Sequence, residues 1–204
     1  KLNDPKEIKY ILEKSYHIAT TGRPGPVLLD IPMDLQRKKI NVNSLKSFKT
    51  KNIKKKKIDK KINYIIKQLK KAQKPVIILG GGIKYAKAEK RLNLFLRKFN
   101  IPIVSTWSGV DLIDHAEKKY IGNIGVYGSR AANFTVQNSD LILSLGSRLD
   151  TRVTGGVPKT FARKAKKIVV DIDRHELNKK RGLLVNFKIN ENVKFFLEEF
   201  IKNN

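Results

Sequence analysis

The run GNIGVYGSRAANFTVQNSDLILSLGSRLDTRVTGG, from Gly122 to Gly156, decides the fold. An apolar strand pattern, Leu141 to Leu145, runs straight into Gly146, and the turn beyond it carries Arg148, Asp150 and Arg152. A second glycine turn lies upstream at Gly125 and Gly128, followed by a helix pattern near Ala131 to Gln137. A short unbroken apolar run bounded by turn residues belongs to a strand covered on both faces. In open parallel sheets ligands sit beyond the carboxyl ends of the strands, where glycines admit a close backbone approach and cations meet phosphate. The layout is that of a nucleotide-type pocket.

Strand and helix signals alternate on both sides of this run, which predicts a doubly wound α/β domain with a parallel sheet over residues 58–204. A helix begins near Asp59 with Ile62, Ile65, Ile66 and Leu69 on one face. Strand Val76 to Leu79 follows, then Gly80-Gly81-Gly82, then a helix carrying Ala88, Leu92, Phe95, Leu96 and Phe99. Strand Ile101 to Val104, strand Ile168 to Ile172, a weaker strand near Leu184 to Phe187 and a last helix from about Glu191 to Ile201 complete the set.

Upstream, Asp4-Pro5 with Glu7 reads as an N-cap, a first-turn proline and a capping-box acid. Ile8, Ile11, Leu12, Tyr16 and Ala19 keep helical spacing until Gly22 stops the helix. GRPGP, Gly22 to Pro26, is a turn, and Val27 to Ile31 reads as a short buried strand ended by Pro32. One helix and one strand cannot make a core, so residues 1–36 read as the tail of a truncated α/β domain. Residues 37–57 keep no period and read as a basic linker. The chain opens on Lys1, directly into a helix signal, and is expected to be a fragment.

The chain has 204 residues, 40% of them hydrophobic, enough for one sizeable core. It has no cysteine, which rules out disulfides and thiolate metal sites and fits a reducing, cytoplasmic setting. No apolar run reaches the roughly 18 residues that span a bilayer. The formal charge is +26, yet much of the excess lies between Arg37 and Lys74, where Asp59 is the only acid. Aromatic residues do not interleave with the run Lys54 to Lys57, so bases have no stacking platform. Nucleic acid is therefore not the expected partner, and a solvated linker accounts for the charge.

The site candidates each carry two readings. Gly80-Gly81-Gly82 stands between a strand and a helix, where amides can meet a diphosphate, or it makes a tight turn only. Two guanidinium groups on one strand-end turn, Arg148 and Arg152, can fork onto phosphate oxygens, or pair with Asp150 or Asp173. Asp171 stands where a carboxylate accepts ribose hydroxyls, or it caps a helix. Trp107 and Tyr127 touch a flat ring, or belong to the core. His17, His115 and His175 lack metal-ligand spacing and read as surface or helix-end residues, and no catalytic constellation assembles.

Two segments carry a family likeness. GRPGPVLLDIPMDLQ resembles the end of the pyrimidine-binding domain, and LGSRLDTRVTGG with VVDIDRHELNK the central domain, of thiamine-diphosphate enzymes such as acetolactate synthase large subunits. The resemblance implies FAD on Gly80 to Gly82, Thr106-Trp107, Gly125-Val126-Tyr127-Gly128, Gly146-Ser147-Arg148, Asp150, Arg152-Val153 and Asp171-Ile172. It implies, for the full enzyme, thiamine diphosphate, magnesium, a 2-keto acid substrate and a homodimer or homotetramer. Two departures stand out. Ile189-Asn190 replaces the family's usual Gly-Asp pair before the last helix, and Tyr127 replaces the histidine of its Gly-Met-His-Gly turn. The family's Gly-Asp-Gly motif, followed downstream by Asn-Asn, is absent from these residues, and its activating glutamate is expected upstream of Lys1. A carboligase or decarboxylase for another substrate, such as surface-sugar branching, with FAD, ADP or nothing bound, is the alternative within the family. A non-catalytic nucleotide- or polyanion-binding module is the alternative outside it.

Overall fold

The computed structural model describes residues 1–50 and 57–203. The chain divides into two compact units, Lys1–Lys56 and Lys57–Asn204. Lys54, Lys55 and Lys56 of the basic run lie outside the described residues.

In the first unit, Asp4 accepts a hydrogen bond from the Lys6 amide at 2.9 Å, capping a 3-10 turn Pro5–Glu7 that leads into α1, Ile8–Thr20. Gly22 follows at φ +64°, the left-handed conformation that ends helices. No residue of α1 is buried. Residues 24–32 form neither helix nor strand and, among the described residues, join no ladder, so the strand expected over Val27 to Ile31 does not form. The stretch is tied by the Leu2 amide donating to the Asp30 carbonyl at 2.8 Å and by Gln36 Nε2 donating to the Ile31 carbonyl at 2.7 Å, and Leu28 is 94% exposed. A strand is held by its neighbours, and the described residues of this unit offer none. After α2, Met33–Gln36, and a 3-10 turn Val42–Ser44, Phe48 folds back onto α1. Its ring meets Tyr10 at 5.6 Å and His17 at 5.3 Å, and its amide donates to Glu13. Part of the stretch read as linker is thus packed on a helix.

The second unit is a six-stranded, all-parallel sheet in the order β3-β2-β1-β4-β5-β6. The strands are β1 Pro75–Leu79, β2 Ile103–Ser105, β3 Tyr120–Asn123, β4 Leu141–Leu145, β5 Lys166–Asp171 and β6 Phe187–Asn190. The helices are α3 Asp59–Lys71, α4 Gly82–Tyr85, α5 Glu89–Leu96, α6 Arg130–Gln137, α7 Thr151–Thr154, α8 Arg174–Asn178 and α9 Val193–Lys202. The side-chain period of two along each strand divides the core in two. Ile77, Leu79, Leu143, Leu145, Ile168 and Val170 face a cluster built by α3, α4, α5 and α9. Val76, Ile78, Val104, Ile142 and Val169 face a second cluster with Ala132, Val136, Phe161 and Leu177. Helices cover both faces, as doubly winding requires.

Two expectations shift. β3 fell within the stretch read only as glycine turns; it is four residues long, at the sheet edge, and contains Gly122 at φ +125°. β6 lies at Phe187–Asn190, beyond the apolar run near Leu184, because Leu183 and Val185 pack on the second cluster as loop.

Candidate functional site

The sheet reverses direction of growth at β1, with β2 and β3 on one side and β4, β5 and β6 on the other. The crevice between β1 and β4, beyond their carboxyl ends, is where such sheets place ligands. The residues that the resemblance assigns to FAD lie at this end of β1 to β5, in the strand ends, the turns that follow them, and the starts of α4 and α7.

Backbone meets backbone there. Gly80 donates to the Leu145 carbonyl and Gly82 to the Gly146 carbonyl, both at 2.9 Å, while Gly146 donates to Val170 at 2.9 Å. A Cβ on Gly80 would stand 2.3 Å from the Gly146 oxygen, and one on Gly82 2.8 Å from it. Gly146 itself holds φ +62°. Two amides of the triplet are therefore engaged internally, and these glycines act first by letting the two turns touch. Gly81 faces the Ser108 side chain, so the triplet is wedged between the turns after β2 and β4.

A second joint ties the turn after β3 to α7. A Cβ on Gly125 would lie 2.4 Å from the Arg152 carbonyl, and the Val126 amide donates to that carbonyl at 2.9 Å. Asn133 on α6 clamps Gly125 from both sides: its Oδ1 accepts from the Gly125 amide at 2.9 Å and its Nδ2 donates to the Gly125 carbonyl at 3.0 Å. Gly128 closes the turn, donating to the Gly125 carbonyl at 2.9 Å. Nothing in the spacing of Asn133 marks this role, since an asparagine in a helix usually faces water.

The charged residues divide. Asp150 caps α7 by accepting from the Arg152 amide at 3.1 Å, and its other oxygen binds Arg148 Nε at 3.1 Å. Arg148 thus takes the ion-pair reading, and reaches Glu176 at 4.0 Å as well. Arg152 is exposed, and among the described residues its guanidinium makes no ion pair. Asp171 Oδ1 accepts from the Asp173 amide at 2.8 Å, while Asp173 caps α8 through the amides of His175 and Glu176. Asn190 Nδ2 donates to the Ile172 carbonyl at 2.7 Å and the Asp171 carbonyl at 3.3 Å, sealing β6 against the end of β5.

Trp107 and Tyr127 are not core residues. They are 64% and 79% exposed and meet edge-to-face at 5.6 Å, bridging the turns after β2 and β3, with Val126 exposed beside them. Thr106 and Ser147 are buried; Ser147 Oγ accepts from the Leu149 amide at 3.3 Å, and Val153 packs on the second cluster. His17 and His115 stack on Phe48 and Tyr120, and His175 sits in the first turn of α8. The arrangement offers an unengaged guanidinium, a glycine-lined backbone crevice and two exposed rings. This donor set fits a flat ring carried on a diphosphate.

The model of the thiamine pyrophosphate enzyme central domain matches residues 62–200, the same sheet and helices described above. The chain belongs to the thiamine pyrophosphate enzyme family. Among curated relatives, the acetolactate synthase large subunit of Corynebacterium glutamicum is 36% identical over 186 residues, covering 87% of this chain and 29% of the relative. The isozyme 2 large subunit of Escherichia coli is 37% identical over 176 residues, covering 86% and 32%. A probable acetolactate synthase large subunit of Methanococcus aeolicus is 32% identical over 204 residues, covering 96% and 33%. The chain spans about a third of the length of these relatives. Among the described residues no helix is long and apolar enough to cross a membrane.

Proposed function

We propose that the chain is the central domain, with the tail of the pyrimidine-binding domain over 1–36 and a basic linker over 37–57, of an acetolactate-synthase-like carboligase. The likeness to acetolactate synthase large subunits supports this reading. The whole enzyme would join 2-keto acids in the cytoplasm as a homodimer or homotetramer, using thiamine diphosphate and magnesium. FAD would be held by this domain as a structural group, since joining two keto acids with loss of carbon dioxide has no net redox step.

The observation that carries the reading is Arg152, exposed and without an ion pair among the described residues, in α7 beyond the turn after β4 and against the Gly125 turn after β3. Arg152 would fork onto the diphosphate, Arg148 would join it from its pair with Asp150, and Trp107 and Tyr127 would flank the flat ring. Charge-assisted hydrogen bonds of this kind contribute roughly 1.5–3 kcal/mol each. Arg152→Ala should weaken FAD binding by about 10- to 100-fold and leave the circular dichroism spectrum unchanged. Equal affinity by calorimetry would place the diphosphate elsewhere.

A second reading, ADP or a smaller ligand in place of FAD, has one observation behind it. Asn190, where relatives of this family usually carry an aspartate, turns its amide onto the carbonyls of Asp171 and Ile172. Purified protein without a yellow chromophore that still binds ADP would favour it.

A further inference from the structure

α6 opens on Ser129, whose Oγ accepts from the Ala132 amide at 3.2 Å, and its Ala132 and Val136 pack on the second core cluster. Asn133 stands beside that buried edge, half-buried, one turn into the helix. Asparagine is a poor choice for a helix interior, because its side chain competes for backbone hydrogen bonds. Here it takes such bonds, but from another element. Its carboxamide offers an acceptor and a donor side by side, and both meet the Gly125 peptide, at 2.9 and 3.0 Å.

Gly125 stands at φ +113°, with Gly128 closing the same turn three residues on. Glycine has more backbone freedom to lose than any other residue, so a turn bounded by two of them keeps one shape only when held from outside. The held turn reaches two candidate ligand groups. The Val126 amide donates to the Arg152 carbonyl at 2.9 Å, while the Arg152 amide donates to Asp150 Oδ1 at 3.1 Å. The Arg152 backbone is thus fixed on both sides while its side chain is exposed. Tyr127, the next residue of the turn, places its ring 5.6 Å from that of Trp107.

We infer that Asn133 is a positioning residue for the proposed flavin site. By clamping Gly125 it holds the turn after β3 against α7, which fixes Arg152 from behind and seats Tyr127 against Trp107. It acts through these residues and not by touching a ligand. The effect on a ligand rests on the flavin reading given above. The hold of Asn133 on the turn does not.

A double-mutant cycle read by FAD calorimetry tests the ligand part. Asn133→Leu, which keeps the side-chain size and removes both bonds, should weaken FAD binding about five- to tenfold in the parent and less than about twofold in an Arg152→Ala background. Equal loss in both backgrounds would overturn the coupling to Arg152. Ligand-free readouts test the turn. Trp107 is the only tryptophan of the chain, so its emission reports the ring pair. Asn133→Leu should reproduce the emission change of Tyr127→Leu, and the Gly125 and Val126 amides should exchange at least about tenfold faster with solvent. If the parent binds no FAD, the flavin reading falls, and emission and exchange decide the role of Asn133. A lowered melting temperature with parental emission and parental exchange at Gly125 and Val126 would make Asn133 a stabilising residue only and overturn the inference. Should Asn133→Leu fail to fold, Asn133→Asp, which keeps the acceptor and loses the donor, carries the same measurements with the same outcomes in smaller measure.

Discussion

Gly80 and Gly156 show how differently one residue type is used within this domain. A methyl group at Gly80 would stand 2.3 Å from a backbone oxygen, and backbone cannot rotate away as a flexible side chain can. Gly156 has nothing within 4 Å of its would-be Cβ. Gly80→Ala should therefore force apart the turns after β1 and β4 and cost about 1–3 kcal/mol or more, the range for overpacked interiors. Gly156→Ala should stay within about 0.5 kcal/mol, as surface changes do. Urea unfolding of the two variants beside the parent chain measures both, and a Gly80→Ala variant of parental stability would refute the joint. The glycines themselves were legible in the sequence as turn residues at strand ends. Which of them lend amides to a ligand and which lend only space was not, because that depends on Gly146 lying across from Gly80, 66 residues away in the chain.

At the scale of elements, legibility followed burial. β1 and β4, buried along nearly their whole length, announce themselves as PVIIL and LILSL. α3 announces itself through Ile62, Ile65, Ile66 and Leu69, and all four are buried. β3 and β6 are edge strands with half-buried residues, and their ladders come from neighbours more than from their own composition. The segment 158–165 is a case that no periodicity reveals. It is anchored by Lys167, 4% exposed, whose Nζ donates to the carbonyls of Ala162 at 2.7 Å and Ala165 at 3.0 Å. Burial holds the Lys167 ammonium below the usual lysine range. In the window between that lowered value and the ordinary one, the unfolded chain binds the proton that the folded chain has released. Stability contributed by this group therefore rises with pH through the window and is lower below it. The difference in unfolding free energy, parent minus Lys167→Met, should grow in the parent's favour as pH rises toward the ordinary lysine range. A flat or falling difference would show that Lys167 is solvated in the folded state.

For the whole molecule, the positive charge and the family residues pull toward different partners, and only one of them coincides with built geometry. The basic excess between Arg37 and Lys74 lies on α3 and on the stretch before it, whereas the glycine joints, Arg152 and the exposed aromatic pair gather at the carboxyl end of the sheet. The proposed flavin site would be drawn from one contiguous unit, Lys57–Asn204, which has its own two-faced core. A carboligase centre asks for more. A magnesium diphosphate needs oxygen ligands in near-octahedral order, and these 204 residues hold no Gly-Asp-Gly motif. Among the described residues no three acids or histidines converge to hold a metal ion. Asp111 with Lys84 at 2.8 Å and Glu199 with Lys202 at 2.6 Å form surface ion pairs. The polypeptide as given, supplied with pyruvate, thiamine diphosphate, magnesium and FAD, should therefore form no acetolactate above a no-protein control, yet retain FAD through gel filtration. The two readouts separate the two parts of the argument. Turnover would reveal a catalytic centre assembled from residues assigned here to structure, while loss of the flavin with an intact circular dichroism spectrum would mean that the switch-point crevice needs walls from beyond this unit.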